Sequence, residues 1–168
     1  SRYGSHMKKL KDPEGTIGTF MERARHLQEK LGPILLQLPP YWHVDVSRLD
    51  GFLARTPPDT RWAVEFRDES WLCDEIYAVL RDHRAALCIH DKFDDHPRTM
   101  TADWAYLRFH GGAEGCYSYQ ALTASAGRID EYLADGLDVY AYFNNDAHGW
   151  AVENAIDLRR YVTNRLEE

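Results

Sequence analysis

Five short apolar runs recur along this chain, and their alternation with longer segments of helical spacing constrains the fold more than any other feature. The runs are ILLQLP from Ile34, WAVEFR from Trp62, AALCIHD from Ala85, WAYLRFHG from Trp104 and DVYAYFNND from Asp138. Each is rich in aliphatic, aromatic and β-branched residues over strand length, so each is expected to be a strand. Between them, the stretch from Pro13 repeats apolar residues at Ile17, Phe20, Met21, Ala24 and Leu27, with Asp12 placed as a cap before Pro13, the start expected of an amphipathic helix. VSRLDGFLAR, SWLCDEIYAVLRDH, SYQALTASAGRIDEYLAD and HGWAVENAIDLRRYVTNRL follow the same rule. Strands apolar on both faces and joined by crossover helices imply a parallel sheet covered by helices. One joint departs from this: KFDDHPRTMTAD, from Lys92, is too short and too broken by Pro97 for a crossover helix and is expected to be a loop.

Polar residues gather where each run ends. Gln37 closes the first, Glu65 and Arg67 the second, His90 and Asp91 the third, Arg108 and His110 the fourth, and Asn144, Asn145 and Asp146 the fifth. No GxGxxG or GxxxxGK phosphate loop is present, which argues against a dinucleotide-binding doubly wound sheet. Polar groups at successive strand ends are instead the layout of a (β/α)8 barrel mouth. The chain has 168 residues, short of the roughly 250 that such a barrel takes.

Length alone fits one domain. The net charge of −7 disfavours nucleic acid on the average surface, leaving Arg2, Lys8, Lys9 and Lys11 as the one basic cluster. Cys73, Cys88 and Cys116 form no CxxC pair and indicate neither a disulfide framework nor a cysteine zinc site. No apolar run reaches membrane-span length, so no membrane partner and a cytoplasmic location are expected.

The segments RYGSHMKKLKD, LGPILLQLPP, AVEFRDESW, TADWAYLRFHG and YAYFNNDAHGWAVENA stand in the order and spacing of the YecE-like proteins, the family called domain of unknown function 72, which the chain resembles over nearly its whole length. GSHM is also what a cleaved expression tag leaves behind; the resemblance favours a native segment, because Tyr3, Ser5 and His6 fit the family's pattern after its third barrel strand. The resemblance implies a TIM barrel, here incomplete: a single domain over 1–168 holding strands four to eight plus the end of strand three, with the N-terminal part lacking. It implies little about activity, and likeness to phosphate- and sugar-processing barrels is analogy at the level of fold.

Strand alternation places Glu65 with Arg67, then Tyr106 with Arg108 and His110, then Tyr140 with Tyr142, Asn144 and Asp146, each set on one face. Two readings follow. Glu65, Arg67, Arg108 and Asp91 could neutralise one another as an internal ion network, since buried charges are costly unless paired. Alternatively, guanidinium forks and amides line a pocket for an anion, whose oxygens they match as lysine cannot. His6, Glu65, Asp91, His110 and Asp146 are of types that bind zinc, manganese or iron, but no HExxH-like spacing supports a metal and none is assigned; the cofactor is left unnamed. Ser5, Ser70, Ser118 and Cys116 have no evident partner base for triad chemistry. Trp71 is balanced between packing and a wall of the mouth. The loop GGAEGCYSY is expected to be flexible, with Tyr117 and Tyr119 as candidate covers for a ligand. His26, His43, His83 and His96 are expected to be solvated.

The expectation is a hydrolase-like enzyme acting on a small phosphorylated or anionic ligand. Glu65, Asp91 and His110 would be catalytic, and His6, Gln37, Arg67, Arg108, Asn144, Asn145 and Asp146 would bind substrate. The alternative is a nucleic-acid binder using RYGSHMKKLK and the same mouth.

Overall fold

A computed structural model describes residues 3–111 and 115–166. All five apolar runs are strands: β1 (Ile34–Gln37), β2 (Trp62–Glu65), β3 (Ala86–His90), β4 (Trp104–Phe109) and β5 (Asp138–Phe143). The helices are α1 (Pro13–Ala24), α2 (Val46–Leu53), α3 (Asp74–Asp82), α4 (Tyr119–Ala134) and α5 (Trp150–Leu166). The Asp12 side chain caps α1 by accepting from the Gly15 N–H at 3.2 Å. The periodic segment does not stay α-helical to its end: Arg25–Lys30 is a 3-10 stretch broken at Gln28, whose φ is 50°. Among the described residues no helix is long and apolar enough to cross a membrane.

The chain divides into two compact units, Ser1–Cys88 with Thr99–Ala102, and Ile89–Arg98 with Asp103–Glu168. In the first, β1 pairs with β2 and β2 with β3, all parallel. In the second, β4 and β5 run parallel in register from Trp104 opposite Asp138 to Phe109 opposite Phe143. The α/β class and parallel pairing are therefore as expected.

The expected TIM barrel is corrected. Among the described residues the five strands expected as the fourth to eighth are present, but no end of a third strand precedes them: Tyr3–Met7, expected just after that strand, is a π-helical turn, and what is seen is a five-stranded parallel sheet rather than a barrel with that strand count. A parallel strand and its crossover take about 30 residues, so 168 residues hold five such repeats. No strand pairs with Tyr3–Met7 among the described residues, and a backbone without a ladder partner meets its hydrogen bonds locally.

The first unit's core joins Ile17 and Met21 of α1, Leu49, Phe52 and Leu53 of α2, Ile76 and Leu80 of α3, and Ile34, Leu36, Trp62, Val64 and Leu87 of the strands. Every residue of β2 is buried, as a strand covered on both faces should be. In the second unit, alternation divides β4. Leu107 and Phe109 pack with Leu122, Ala126 and Ile129 of α4 and Leu158 of α5. Trp104 and Tyr106 take the other face, where Trp104 meets Tyr140 edge-on at 5.7 Å and Tyr106 stacks on Tyr142 at 5.0 Å. No residue of β5 is fully buried: its tyrosines carry hydroxyls that water satisfies at least cost.

The joint between β3 and β4 holds no helix, as Pro97 foretold. Within the first unit, Thr101 of this joint bridges two backbone groups. Its hydroxyl donates to the Ala85 carbonyl at 2.7 Å and accepts from the Leu87 N–H at 2.8 Å.

Candidate functional site

Four of the expected site residues lie in the first unit. Gln37 ends β1 directly opposite Glu65 at the end of β2. Glu65 is wholly buried, and its Oε1 accepts from Nε of Arg67, whose side chain is 19% exposed. Cys88 Sγ stands 3.8 Å from the other carboxylate oxygen. Ordinary alternation puts Glu65 and Arg67 on one side of the strand, two residues apart, so the pair closes with no change of backbone course. His6 is half-buried, with Nδ1 2.9 Å from Ser5 Oγ. Trp71 is fully buried, so packing is its role.

The other six lie in the second unit. Arg108 donates to Asn144 Oδ1 from both Nε (3.2 Å) and Nη2 (2.7 Å), across paired strands where the two residues share a face. Asp91 accepts from the His110 backbone N–H at 2.9 Å and from the Tyr117 hydroxyl. Asn145 is buried, and its Nδ2 donates to the Gly115 carbonyl at 2.7 Å and to Asn154 Oδ1 at 2.8 Å. Asp146 is exposed, and its carbonyl accepts from the Gly149 N–H. Gly111 sits at φ +87°, and a Cβ there would meet Asn145 Cβ at 2.9 Å. Only glycine takes both the left-handed conformation and that close approach without strain.

Tyr117 is a structural tie rather than a cover. Its ring packs edge-on against Phe109 and Phe143, and its hydroxyl also accepts from the Gly111 N–H at 2.6 Å. Burial, followed by the hydrogen bond to Asp91, raises its pKa well above the ordinary phenol value. Tyr117→Phe is expected to cost on the order of 1–2 kcal/mol, because it strips partners from Gly111 and Asp91. The sign with pH follows from the raised value. The tyrosine's contribution is complete below an unfolded pKa of about 10 and declines as pH rises above it. Urea midpoints of wild type and variant should therefore differ at neutral pH and converge at strongly alkaline pH. Tyr119 is 63% exposed and meets Tyr161 edge-on. Much of the remainder of the expected flexible loop, Gly112 to Glu114, lies outside the described residues.

The second unit also contains a cavity of about 270 Å³. Ile89, Leu107 and Phe109 supply apolar wall; Arg98, Arg108 and Arg128, with His90 and His96, bring polar character, and Asp91 is at its margin. Arg108 and Asp91 belong to the expected site, whereas Arg98, Arg128 and His96 were not singled out as site residues. His96, expected in solvent, stands 4.4 Å from the His90 ring and 6.0 Å from Phe93 between ring centroids. The available signal was Pro97: a joint unable to form a helix leaves strand face uncovered beside α4, and charged residues near such a gap are candidates.

Among the described residues no group of three histidines, cysteines or carboxylates could hold a metal ion. In the basic cluster, Lys8 pairs with Asp12 at 2.6 Å, and Lys9 lies 5.8 Å from the Trp42 ring centre, with the Arg48 guanidinium 5.9 Å from the same ring. Arg2 lies outside the described residues.

An all-parallel α/β protein with polar strand ends is the class that this fold and these residues define. The chain belongs to the family described as protein of unknown function DUF72, whose model matches residues 1–168; this is the YecE-like family. It is similar to the crystal structure of a DUF72 family protein from Thermotoga maritima, with 28% identity and a TM-score of 0.83, over 100% of this chain and 72% of that one. A DUF72 family protein from Enterococcus faecalis shares the fold, at 21% identity and a TM-score of 0.72, over 89% of this chain and 66% of that one. No curated protein matches.

Proposed function

We propose that this chain carries the site of a hydrolase-like enzyme that acts on a small phosphorylated or otherwise anionic substrate in the cavity of the second unit. The observation that supports the reading is the lining of that one cavity by three arginines, Arg98, Arg108 and Arg128. In this reading Arg108, already oriented by Asn144, contacts the anion. His110, whose ring centre stands 6.1 Å from that of the cavity-lining His90, serves as the proton-transfer group. Asp91 positions His110 through its backbone. Glu65 and Arg67, engaged with each other, have a structural part. The family match over 1–168 supports treating the whole chain as part of one family domain.

The test is titration of inorganic phosphate, followed by calorimetry, and hydrolysis of a panel of phosphate monoesters by wild type and Arg108→Met. Loss of one charged hydrogen bond is expected to weaken phosphate binding by about 10- to 100-fold. Absence of phosphate binding in wild type, with a large stability loss in the variant, would return Arg108 to a purely structural role.

A further inference from the structure

Arg98 and Arg128 line one cavity, and among the described residues neither guanidinium has a carboxylate within ion-pair distance. α4 explains how one of them is held. Its positions Leu122, Ala126 and Ile129 are committed to the core, while Ser125, Arg128 and Tyr132 line the cavity at helical spacing. Ser125 is buried, donates to the Ala121 carbonyl at 2.9 Å and accepts from Arg128 Nη2 at 2.8 Å. Arg128 is thus oriented by a neutral hydroxyl, which holds the fork without a hydrogen-bonded carboxylate, Glu131 acting on it only through space. Arg98 comes from the joint between β3 and β4 and lines the same cavity. Burial, and then the charge of Arg98, lower the pKa of Arg128, so the two cations sense each other. Of the carboxylates at this cavity, Asp91 is engaged by Tyr117 and His110, and Asp94 is exposed.

A partly buried guanidinium beside a second, exposed one is unfavourable when neither is hydrogen-bonded to a carboxylate, and an anion held by both reduces that repulsion while gaining two planar forks. We infer that Arg98 and Arg128 form the anion clamp of this cavity and select a terminal dianion, that of a phosphate monoester, over singly charged carboxylates. The inference rests on the proposed function for the place of the substrate and names its charged end. Arg108, held by Asn144, then meets the part of the substrate next to the phosphate. The clamp exists because the joint carries no helix: an ordinary crossover there would occupy the strand face that Ile89 and Leu107 present to the cavity.

The experiment is calorimetric titration of the 168-residue chain with inorganic phosphate, sulfate and acetate, for wild type, Arg98→Met, Arg128→Met and Arg108→Met. Thermal unfolding of each variant accompanies it. Phosphate and sulfate are expected to bind wild type and acetate at least tenfold more weakly, with Arg98→Met and Arg128→Met each weakening phosphate by tenfold or more. Arg98 is exposed, so its variant keeps the test alive if Arg128→Met unfolds. Phosphate binding that survives both changes yet disappears in Arg108→Met would overturn the clamp and leave the proposed function standing. Equal binding of acetate and phosphate would overturn the dianion selection, and no anion binding by wild type would overturn both proposals.

Discussion

Replacing Arg67 by methionine is expected to destabilise the protein by about 3 kcal/mol, near the lower end of what removing one partner of a buried ion pair costs. The reason is asymmetric. Glu65 is wholly buried while the Arg67 side chain keeps a margin of exposure, so the arginine's removal takes a charged hydrogen-bond partner from the more deeply desolvated of the two groups. Changing both residues to methionine should recover much of the loss, because a matched apolar pair removes the desolvation cost along with the attraction. Urea unfolding of the two single variants and the double variant measures this. A double variant no more stable than Arg67→Met would show that the pair is not the main support of Glu65.

Trp71→Ala should cost about 3–5 kcal/mol, the range for emptying a large aromatic site in a core. The cost has three separable parts. The ring stacks on Phe66 at 5.3 Å and 11°, it meets the Trp42 ring edge-on at 5.1 Å, and its indole N–H donates to the Trp42 carbonyl. Trp71→Phe keeps much of the volume and loses the donor, so it should lose roughly 1–2 kcal/mol from the unsatisfied carbonyl and reduced packing. If the two variants unfold at the same urea concentration, the hydrogen bond rather than the volume dominates. Trp71 lies six residues from Glu65 in sequence, and both changes act within the first unit. Their effects should be compared in a double-mutant cycle before they are added.

The strands were legible because their residues leave little choice. Trp62, Ala63 and Val64 are apolar in succession within WAVEFR, a segment of strand length whose apolar residues fall on both faces, as a strand covered on both sides requires. The faces of β4 followed from the two-residue period, which separates Leu107 and Phe109 from Tyr106 and Arg108 whatever the neighbouring strands do. The barrel was not legible in the same way, since it came from a resemblance and from polar strand ends, and Tyr3–Met7 has neither alternation nor β-branched residues to enforce extension. The neighbourhood of strand-end polar residues was legible because register carries Gln37 opposite Glu65 and Arg108 beside Asn144. Arg98 and Arg128 escaped because one sits in an irregular joint and the other on a helix, where charged residues are ordinarily solvent-facing. Only the uncovered strand face beside α4 gives those positions their meaning.

Thr101 gives the joint before β4 a measurable clock. Because its hydroxyl accepts from the Leu87 N–H, that amide can exchange with deuterated solvent only when the side chain lets go. Its protection therefore records how often the segment Thr99–Ala102 lifts from β3, an event that need not wait for the unit to unfold. Valine at 101 would keep the shape and stop the clock, leaving Leu87 to exchange at the rate set by whatever water reaches it.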